Sequence, residues 1–583
     1  MTVDVKNKEI SRIFYEIADY LEMEKVPFKP YAYQQAAAVL ETLPESVGEI
    51  YRKGGTKALE EIPGVGKSIA EKIEEYLKTG KIKYYQEFKK KLPLDLEEIT
   101  GVEGVGPQKA RILYQKLGIR NLKDLEKAAK SRKISPLFGF GEKTEQNILE
   151  GIAFLKKSKG RFLLGDIWPN VEEISEKLER LKEVEQISAA GSIRRRKETI
   201  GDVDILITTK DSASAKDSAD KIMDFFVRLP GIVKIWMKGS SKSSVRMAEG
   251  FDVDLRVVKK KSYGSALQYF TGSKEHNIVV RRIAIEKGLK LSEYGLFRGK
   301  KMIAGWNESG IYKALGLAWI EPELRENQGE IEAAGRPADR LPKIIGYQDI
   351  KGDLHCHSDW DGGENTIEEM AQTAVEMGYQ YLGISDHTKF LRIENGLDER
   401  ELERRNKEID KLNQKYGNFR ILKSAETNIL NDGSIDIKDE ALKKLDYVIA
   451  GVHSSFKMEK EKMTERIIRA MKNPQIDVLA HPTGRILKRR DEYQIDFDKI
   501  LRAAKEYGVV LEINSYPERL DLNDRNIRRA KEAGVKMIIN TDSHHKEQLS
   551  LMEFGISQAR RGWAEKKDIA NAWPLDKMLK YFK

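Results

Sequence analysis

Two aspartates one residue apart, Asp202 and Asp204, lie in the run Gly201-Asp202-Val203-Asp204-Ile205-Leu206, shortly after the turn Gly191-Ser192-Ile193-Arg194-Arg195-Arg196. The apolar residues around them mark a β-strand, whose alternate side chains point the same way, so both carboxylates reach one spot. A second run, Phe251-Asp252-Val253-Asp254-Leu255-Arg256, reads as a neighbouring strand that brings Asp254 to the same place. Three convergent carboxylates suit hard divalent cations, most naturally magnesium. A pair of such ions clamps the attacking and leaving oxygens of an in-line displacement, the device of phosphoryl and nucleotidyl transfer.

A second set of chemical groups fills the C-terminal half. Seven of the eight histidines fall between positions 355 and 545, and most close a short apolar run. The runs are Gly352 to His357, Tyr381 to His387, Ile421 to Glu426, Tyr447 to His453, Asp477 to His481, Val509 to Asn514 and Met537 to His544. Strand, polar residue, then helix, repeated in this way, is the pattern of a distorted (β/α)7 barrel with its chemistry at the C-terminal strand ends. His355 and His357 are two residues apart, as are Asp542 and His544, so each pair faces one side and Cys356 faces away. With Asp361, His387, Glu426, His453 and His481 the set reaches nine side chains, more than one mononuclear site requires. Two or three metals are implied, with hydrolysis of a phosphoester as the matching chemistry.

The rest of the chain must position and serve these groups. Its 583 residues exceed one hydrophobic core, so a modular α/β protein is expected. Ile62-Pro63-Gly64-Val65-Gly66-Lys67 and Val102-Glu103-Gly104-Val105-Gly106-Pro107 each lead into an amphipathic helix, with a looser copy at Phe138-Gly139-Phe140-Gly141. Paired glycines let a tight turn aim helix-start N–H groups at a phosphate, the logic of the helix-hairpin-helix grip on a DNA backbone through Gly64, Gly66, Gly104 and Gly106. The reading divides the chain into helix-hairpin-helix domains at 1–80 and 81–150, a mixed-sheet catalytic unit at 151–258, a smaller unit at 259–317, a linker at 318–340 and the barrel at 341–583.

Composition agrees with a nucleic-acid partner without proving one. The net charge is +10 with 34% charged residues, a moderately basic surface suited to a polyanion. Abundant lysine and glutamate also fit a heat-adapted protein. The single cysteine, Cys356, has no partner for an intrachain disulfide, and no long uncharged apolar run or apolar leader occurs. A cytoplasmic monomer with no membrane association is expected.

The first half, to about residue 317, resembles the family X DNA polymerases, the group of polymerase beta. Gly191-Ser192, the three aspartates and Tyr269-Phe270-Thr271-Gly272-Ser273 carry the resemblance. It implies a palm and thumb, with magnesium or manganese held by Asp202 and Asp204, and with Asp254 binding the catalytic ion and accepting the primer hydroxyl proton. It also implies that Ser192 and Arg195 hold the triphosphate, that Tyr269 and Phe270 lie beside the sugar, and that Gly272, Asn277 and Arg281 make nucleotide and minor-groove contacts. Lys72 stands where that family has a Schiff-base lysine for 5′-deoxyribose phosphate removal, and Lys29 and Tyr33 match phosphate-side positions. Lys67-Ser68 departs from the animal enzyme's order.

From about 341 the chain looks like the polymerase and histidinol phosphatase (PHP) family, which implies a 3′ to 5′ exonuclease or phosphoesterase using manganese or zinc. Here Trp360-Asp361-Gly362-Gly363 places the acid one residue early, with Asp359 as the alternative ligand. Together the motifs imply a gap-filling repair polymerase acting on gapped or primer-template DNA and deoxynucleoside triphosphates. A template-independent nucleotidyltransferase with an attached phosphatase is the alternative, which the hairpin repeats oppose, and a non-enzymatic DNA-end scaffold is a third reading.

Overall fold

The computed structural model describes residues 5–24, 26–43, 46–62, 64–100, 102, 105–158, 160–210, 215–335 and 341–582. Gly104 and residues 336–340 of the expected linker therefore lie outside the described residues. Two compact units are present, Met1–Lys159 with Lys488–Arg490, and Gly160–Leu487 with Asp491–Lys583. Among the described residues no helix is long and apolar enough to cross a membrane.

The first unit is helical. Helix Val5–Met23 packs along helix Lys29–Thr42, and a single apolar core runs from Ile10 to Ile152. The expected domains at 1–80 and 81–150 thus share one core, and helix Glu142–Ser158 continues straight across the expected 150/151 boundary. Both glycine hairpins end in helices, Lys67–Thr79 after Gly66 and Pro107–Leu117 after Gly106.

In the second unit β1 (Val184–Ala189), β2 (Asp202–Thr209), β3 (Ile232–Lys238), β4 (Lys242–Met247) and β5 (Asp252–Val257) form a mixed sheet in the order β1-β2-β5-β4-β3. β2 and β5 run parallel, with Asp202 opposite Asp252 and Asp204 opposite Asp254, while the other neighbours are antiparallel. The intervening Val203, Ile205, Val253 and Leu255 are buried in the core, which fixes the register because a one-residue slip would bury the aspartates instead.

Residues 318–335, expected as linker, are packed. Ile320, Leu324, Ile331 and Ala334 share a core with Val280, Ala284 and Ile311. The polar composition misleads because its charges are buried in pairs: Arg325 with Glu308 at 2.6 Å, Glu323 with Arg560 at 2.7 Å and Glu330 with His276 at 2.7 Å.

The last domain is a barrel of parallel strands: β6 (Gly352–Cys356), β7 (Tyr381–Ile384), β8 (Arg420–Lys423), β9 (Glu426–Asn428), β10 (Ile449–Gly451), β11 (Val478–Leu479), β12 (Val510–Asn514) and β13 (Met537–Asn540). Ser424 and Ala425 interrupt one stave to make β8 and β9, so the eight segments form seven staves. Bridges from His387 to Glu426 and from Cys356 to Ser543 join the two parallel sheets into a ring. Crossover helices are capped by side chains; Thr366 and Asp398 each form a reciprocal capping box with a glutamate three residues on.

Barrel and mixed-sheet domain are built into one body. Leu520 and Phe554 from the barrel complete the core beneath the mixed sheet, and a Cβ on Gly165 would lie 2.4 Å from Pro517. Arg561 donates to the Arg195 carbonyl at 2.9 Å and pairs with Glu326 and Asp524, while Arg485 pairs with Glu198.

Burial, then the neighbouring Glu22 and Glu16, lift Asp19 in the first helix to about 7. Its folded value lies above an unfolded value of about 3.9, so its contribution to stability is complete below that value and is lost as pH rises through 7. Asp19→Asn should therefore raise the melting temperature at pH 8 and by much less at pH 5, as followed by circular dichroism. An equal gain at both pH values would contradict the burial of this carboxyl group.

Candidate active sites

The mixed sheet presents Asp202, Asp204 and Asp254 on adjacent parallel strands. Burial first, then the Asp202 and Asp254 charges, raise Asp204 to about 6, as expected where carboxylates crowd without a cation. Gly191 lies directly against this group: its φ is +66°, and a Cβ there would lie 3.0 Å from Asp204 Oδ2. Only glycine serves both demands. Asp254 is held by Lys242 Nζ at 2.7 Å and by Arg256 at 3.6 Å.

The arginine turn is tied down on every side. Arg194 forms a fork on Glu308 at 2.7 and 2.9 Å and donates to Thr271 Oγ1 at 2.7 Å. Arg195 donates to Glu326 at 3.0 Å and to the Thr271 carbonyl, so the side chain expected on a triphosphate is here engaged by the protein. A Cβ on Gly272, whose φ is +70°, would lie 3.1 Å from Arg195 Nη1, which brings the Tyr269–Ser273 segment onto the turn. Ser192 caps no helix and accepts from Lys197 N through its carbonyl at 3.0 Å. Tyr269 and Phe270 meet edge to face at 5.1 Å. Asn277 donates to the Tyr269 carbonyl at 2.7 Å, and Arg281 donates to the Asn277 carbonyl at 3.2 Å.

In the helical unit Gly66 and Gly106 begin their helices without a side-chain cap, and a Cβ on either would meet nothing within 4 Å. Uncapped helix starts of this kind have the geometry of an anion site. Gly64 has φ +73° and packs against Gln35 and Ala36. Lys72 donates to the Ser68 hydroxyl and carbonyl at 3.0 Å and lies over the Tyr84 and Tyr33 rings at 5.2 and 5.8 Å. Burial lowers its basicity, opposed by Glu71 and Glu75, and nearby Lys29 lowers it further. Tyr33 itself is 5% exposed and packs on Phe14 and Tyr84, so its ring is part of the core rather than the surface.

At the C-terminal rim of the barrel the nine acid and imidazole side chains meet. Glu426 is the hub: His355, His387, His453 and His481 lie 3.3, 2.9, 3.1 and 3.0 Å from its oxygens. Asp542 lies 3.3 Å from His357 and 3.5 Å from His355, and Asp361 holds His357 Nδ1 at 2.7 Å. The His544 ring stacks on His357 at 4.0 Å. Gly451 makes this crowding feasible, since a Cβ there would lie 2.6 Å from His453 and 3.0 Å from both Glu426 and His481. His481 and Asp542 have φ of +28° and +56°, a backbone cost typical of sites where side-chain aim outweighs strain.

These residues fit divalent metal ions. Ligand atoms within 4.8 Å of one another occur in the sets His355/His357/Glu426/Asp542, His387/Glu426/His453, His357/His387/His544 and His357/Asp361/Asp386. Buried His355 Nε2, His357 Nε2, His387 Nδ1 and Glu426 Oε2 make no well-aligned hydrogen bond, although His387 Nδ1 lies 2.9 Å from Glu426 Oε2, and this is costly unless a cation takes them. Burial brings His453 and His544 down to about 4, opposed by Glu426 at the first and aided by His357 against Asp542 and Asp361 at the second, so both are neutral and ready to ligate at neutral pH. His355 is opposed by burial but carried well above its ordinary value by Glu512, Glu426 and Asp542, so metal binding there displaces a proton.

Supporting groups were missed by the sequence reading. Glu512 holds His355 Nδ1 at 2.7 Å, Asn428 holds His453 Nδ1 at 2.7 Å, and buried Asp386 is anchored by Arg405 at 3.0 Å. Such partners set the tautomer and aim of a ligating imidazole. Glu512 was visible as an acid inside an apolar strand run; the other two carry no local signal. Asp361 lies in the cluster, whereas Asp359 belongs to none of the ligand sets.

Five family models match in chain order: a helix-hairpin-helix domain over residues 5–82, a SAM-like helix-hairpin-helix tandem over 96–153, the DNA polymerase beta palm over 169–234, the DNA polymerase beta thumb over 266–326 and the PHP domain over 353–516. The chain is 36% identical over 581 residues to the DNA polymerase/3′-5′ exonuclease PolX of Bacillus subtilis (strain 168), covering 99% of both chains. It is 34% identical over 210 residues to a probable phosphatase of Thermoanaerobacter sp. (strain X514), covering 33% of this chain and 78% of that one. It is also 26% identical over 351 residues to DNA polymerase lambda of Arabidopsis thaliana, covering 55% of this chain and 62% of that one. Hairpin, palm, thumb and PHP models thus follow one another along a chain that matches the Bacillus relative over 99% of both lengths, and the chain belongs to the family X DNA polymerases that carry a C-terminal PHP domain.

Proposed function

We propose that the chain is a template-directed DNA polymerase that fills gaps during repair, with a 3′ to 5′ exonuclease or phosphoesterase in its barrel. The observation that carries this reading is the presence in one chain of two separate ion-binding chemistries, hard carboxylates on the palm and mixed imidazole and carboxylate on the barrel. Deoxynucleoside triphosphates and gapped or primer-template DNA are the substrates, and the protein works as a cytoplasmic monomer.

At the palm, magnesium or manganese supplies charge neutralisation when bound between Asp202, Asp204 and Asp254. Asp254 is the acceptor of the primer hydroxyl proton. Ser192 and the Gly191 turn receive the triphosphate, with Arg195 joining them on release from Glu326. Tyr269 and Phe270 border the sugar, while Asn277 and Arg281 face the base pair's minor-groove side. Gly64, Gly66, Gly104, Gly106 and Lys29 hold the DNA backbone without reading its sequence. In the barrel, the nine ligands would hold two or three manganese or zinc ions, which would supply Lewis-acid activation of the attacking water at neutral pH. The ligand shell is buried, which keeps bulk water from the carboxylates.

Asp202→Ala should abolish template-directed extension by a factor on the order of 10²–10³ while leaving 3′ degradation intact, and His355→Ala should do the reverse. Primer extension and degradation on one gapped duplex measure both. Addition that ignores the template base would favour a template-independent transferase, and joint loss in folded single variants would contradict two independent sites.

Lys72 supports a second activity, removal of a 5′-deoxyribose phosphate through a Schiff base, because burial depresses its basicity beside an open helix start. Borohydride should trap wild-type protein on an incised abasic duplex and trap Lys72→Ala at least about tenfold less. Equal trapping would remove the assignment.

A further inference from the structure

The barrel's ligand shell consists of acids and imidazoles, yet the reaction proposed for it acts on a phosphodiester anion. A site of this kind gains orientation and charge complementarity from a guanidinium that forks onto non-bridging oxygens. Among the described ion pairs of the nine ligands, the one cation other than histidine is Arg519, whose Nε lies 3.7 Å from Asp542 Oδ2. That separation is longer than a hydrogen bond, and the side chain keeps 25% exposure, so the guanidinium stands at the cluster rim beside Asp542 and within reach of solvent.

Arg519 is carried by a loop that is rigid on both sides of it. The Tyr516 carbonyl accepts from Arg519 N at 2.8 Å and from Leu520 N at 3.0 Å. Leu520 is 1% exposed in the palm core, with φ of +43°. Its carbonyl accepts from Arg485, which also pairs with palm Glu198. Asp521, fully buried, accepts from Thr483 N, Thr483 Oγ1 and Gly484 N at 3.0, 2.8 and 2.8 Å, fixing the turn that begins at ligand His481. A strained residue anchored in the neighbouring domain and a buried carboxylate tied to the ligand turn thus flank a partly exposed arginine at the cluster rim.

We propose that Arg519 binds a non-bridging oxygen of the phosphodiester at the barrel site, and that the palm, through Leu520, sets its aim. The assignment rests on the phosphoesterase reading given above. Its rival is that Arg519 merely neutralises Asp542.

Manganese-dependent degradation of a 5′-labelled single-stranded oligonucleotide by the full-length wild type, Arg519→Lys and Arg519→Ala separates the two. Removing a charge-assisted bond of this kind should lower kcat/KM of Arg519→Ala by about 10- to 100-fold, mainly through KM. Arg519→Lys should fall between, because lysine keeps the charge but loses the fork. Added guanidinium should restore part of the alanine variant's rate and none of the wild type's. Bound manganese, measured by mass spectrometry, and primer extension should match the wild type in both variants. Loss of bound manganese in Arg519→Ala, or wild-type kinetics in that variant, would overturn the assignment. A wild type that degrades nothing, with His355→Ala indistinguishable from it, would overturn the phosphoesterase reading and this assignment together.

Discussion

A carboxylate with no access to water, Glu426, is the constraint around which the barrel is organised. It is 1% exposed, and four imidazoles lie within hydrogen-bonding range of its two oxygens. An isolated ion at such depth is prohibitively costly, so the position persists only because positive charge is brought to it from several strands at once. The seven staves exist, in this sense, to end in the same place. Protons can serve as that charge, with His355 carried above its ordinary value by Glu512, Glu426 and Asp542, but they leave ring nitrogens and one carboxylate oxygen without a well-aligned hydrogen bond. Divalent ions satisfy the donors and the charge together.

The palm meets a milder version of the same problem. Its aspartates are more exposed, crowd one another and are partly answered by Lys242 on the neighbouring strand and by Arg256 on Asp254's own strand. Gly191 permits the arginine turn to reach Asp204, and Arg194, Glu308 and Arg325 bind that turn to the following domain. Segment 195–198 then continues into the barrel through Arg561, Glu553 and Arg485. Breaking one partner of a buried pair such as Arg561–Glu326 costs about 3–5 kcal/mol, so palm and barrel behave as one body rather than two tethered ones.

What the sequence revealed followed from periodicity. Two-residue spacing placed His355 with His357 and Asp202 with Asp204, and the seven apolar runs ending in polar residues reappear as the seven staves. What stayed hidden depends on partners distant along the chain. Residues 318–335 look like a linker because Arg325, Glu323 and Glu330 are charged, and their burial is intelligible only beside Glu308, Arg560 and His276. The single core across residues 10–152 hides behind two similar hairpin motifs that each suggest a domain. Tyr33 has the residue type of a phosphate contact, but the aromatic neighbours that bury it come from elsewhere in the fold. Arg519 carries no motif and acquires meaning only from the loop that aims it.

The central claim is that the Glu426 cluster is a multinuclear metal centre rather than a network of buried ion pairs. Anomalous X-ray diffraction from manganese-soaked crystals tests it most directly. Two or three peaks bounded by His355, His357, Asp361, His387, Glu426, His453, His481, Asp542 and His544 are predicted, with the imidazole–Glu426 contacts opened to admit them. A cluster that keeps these contacts closed and shows no anomalous density at saturating manganese would contradict the account.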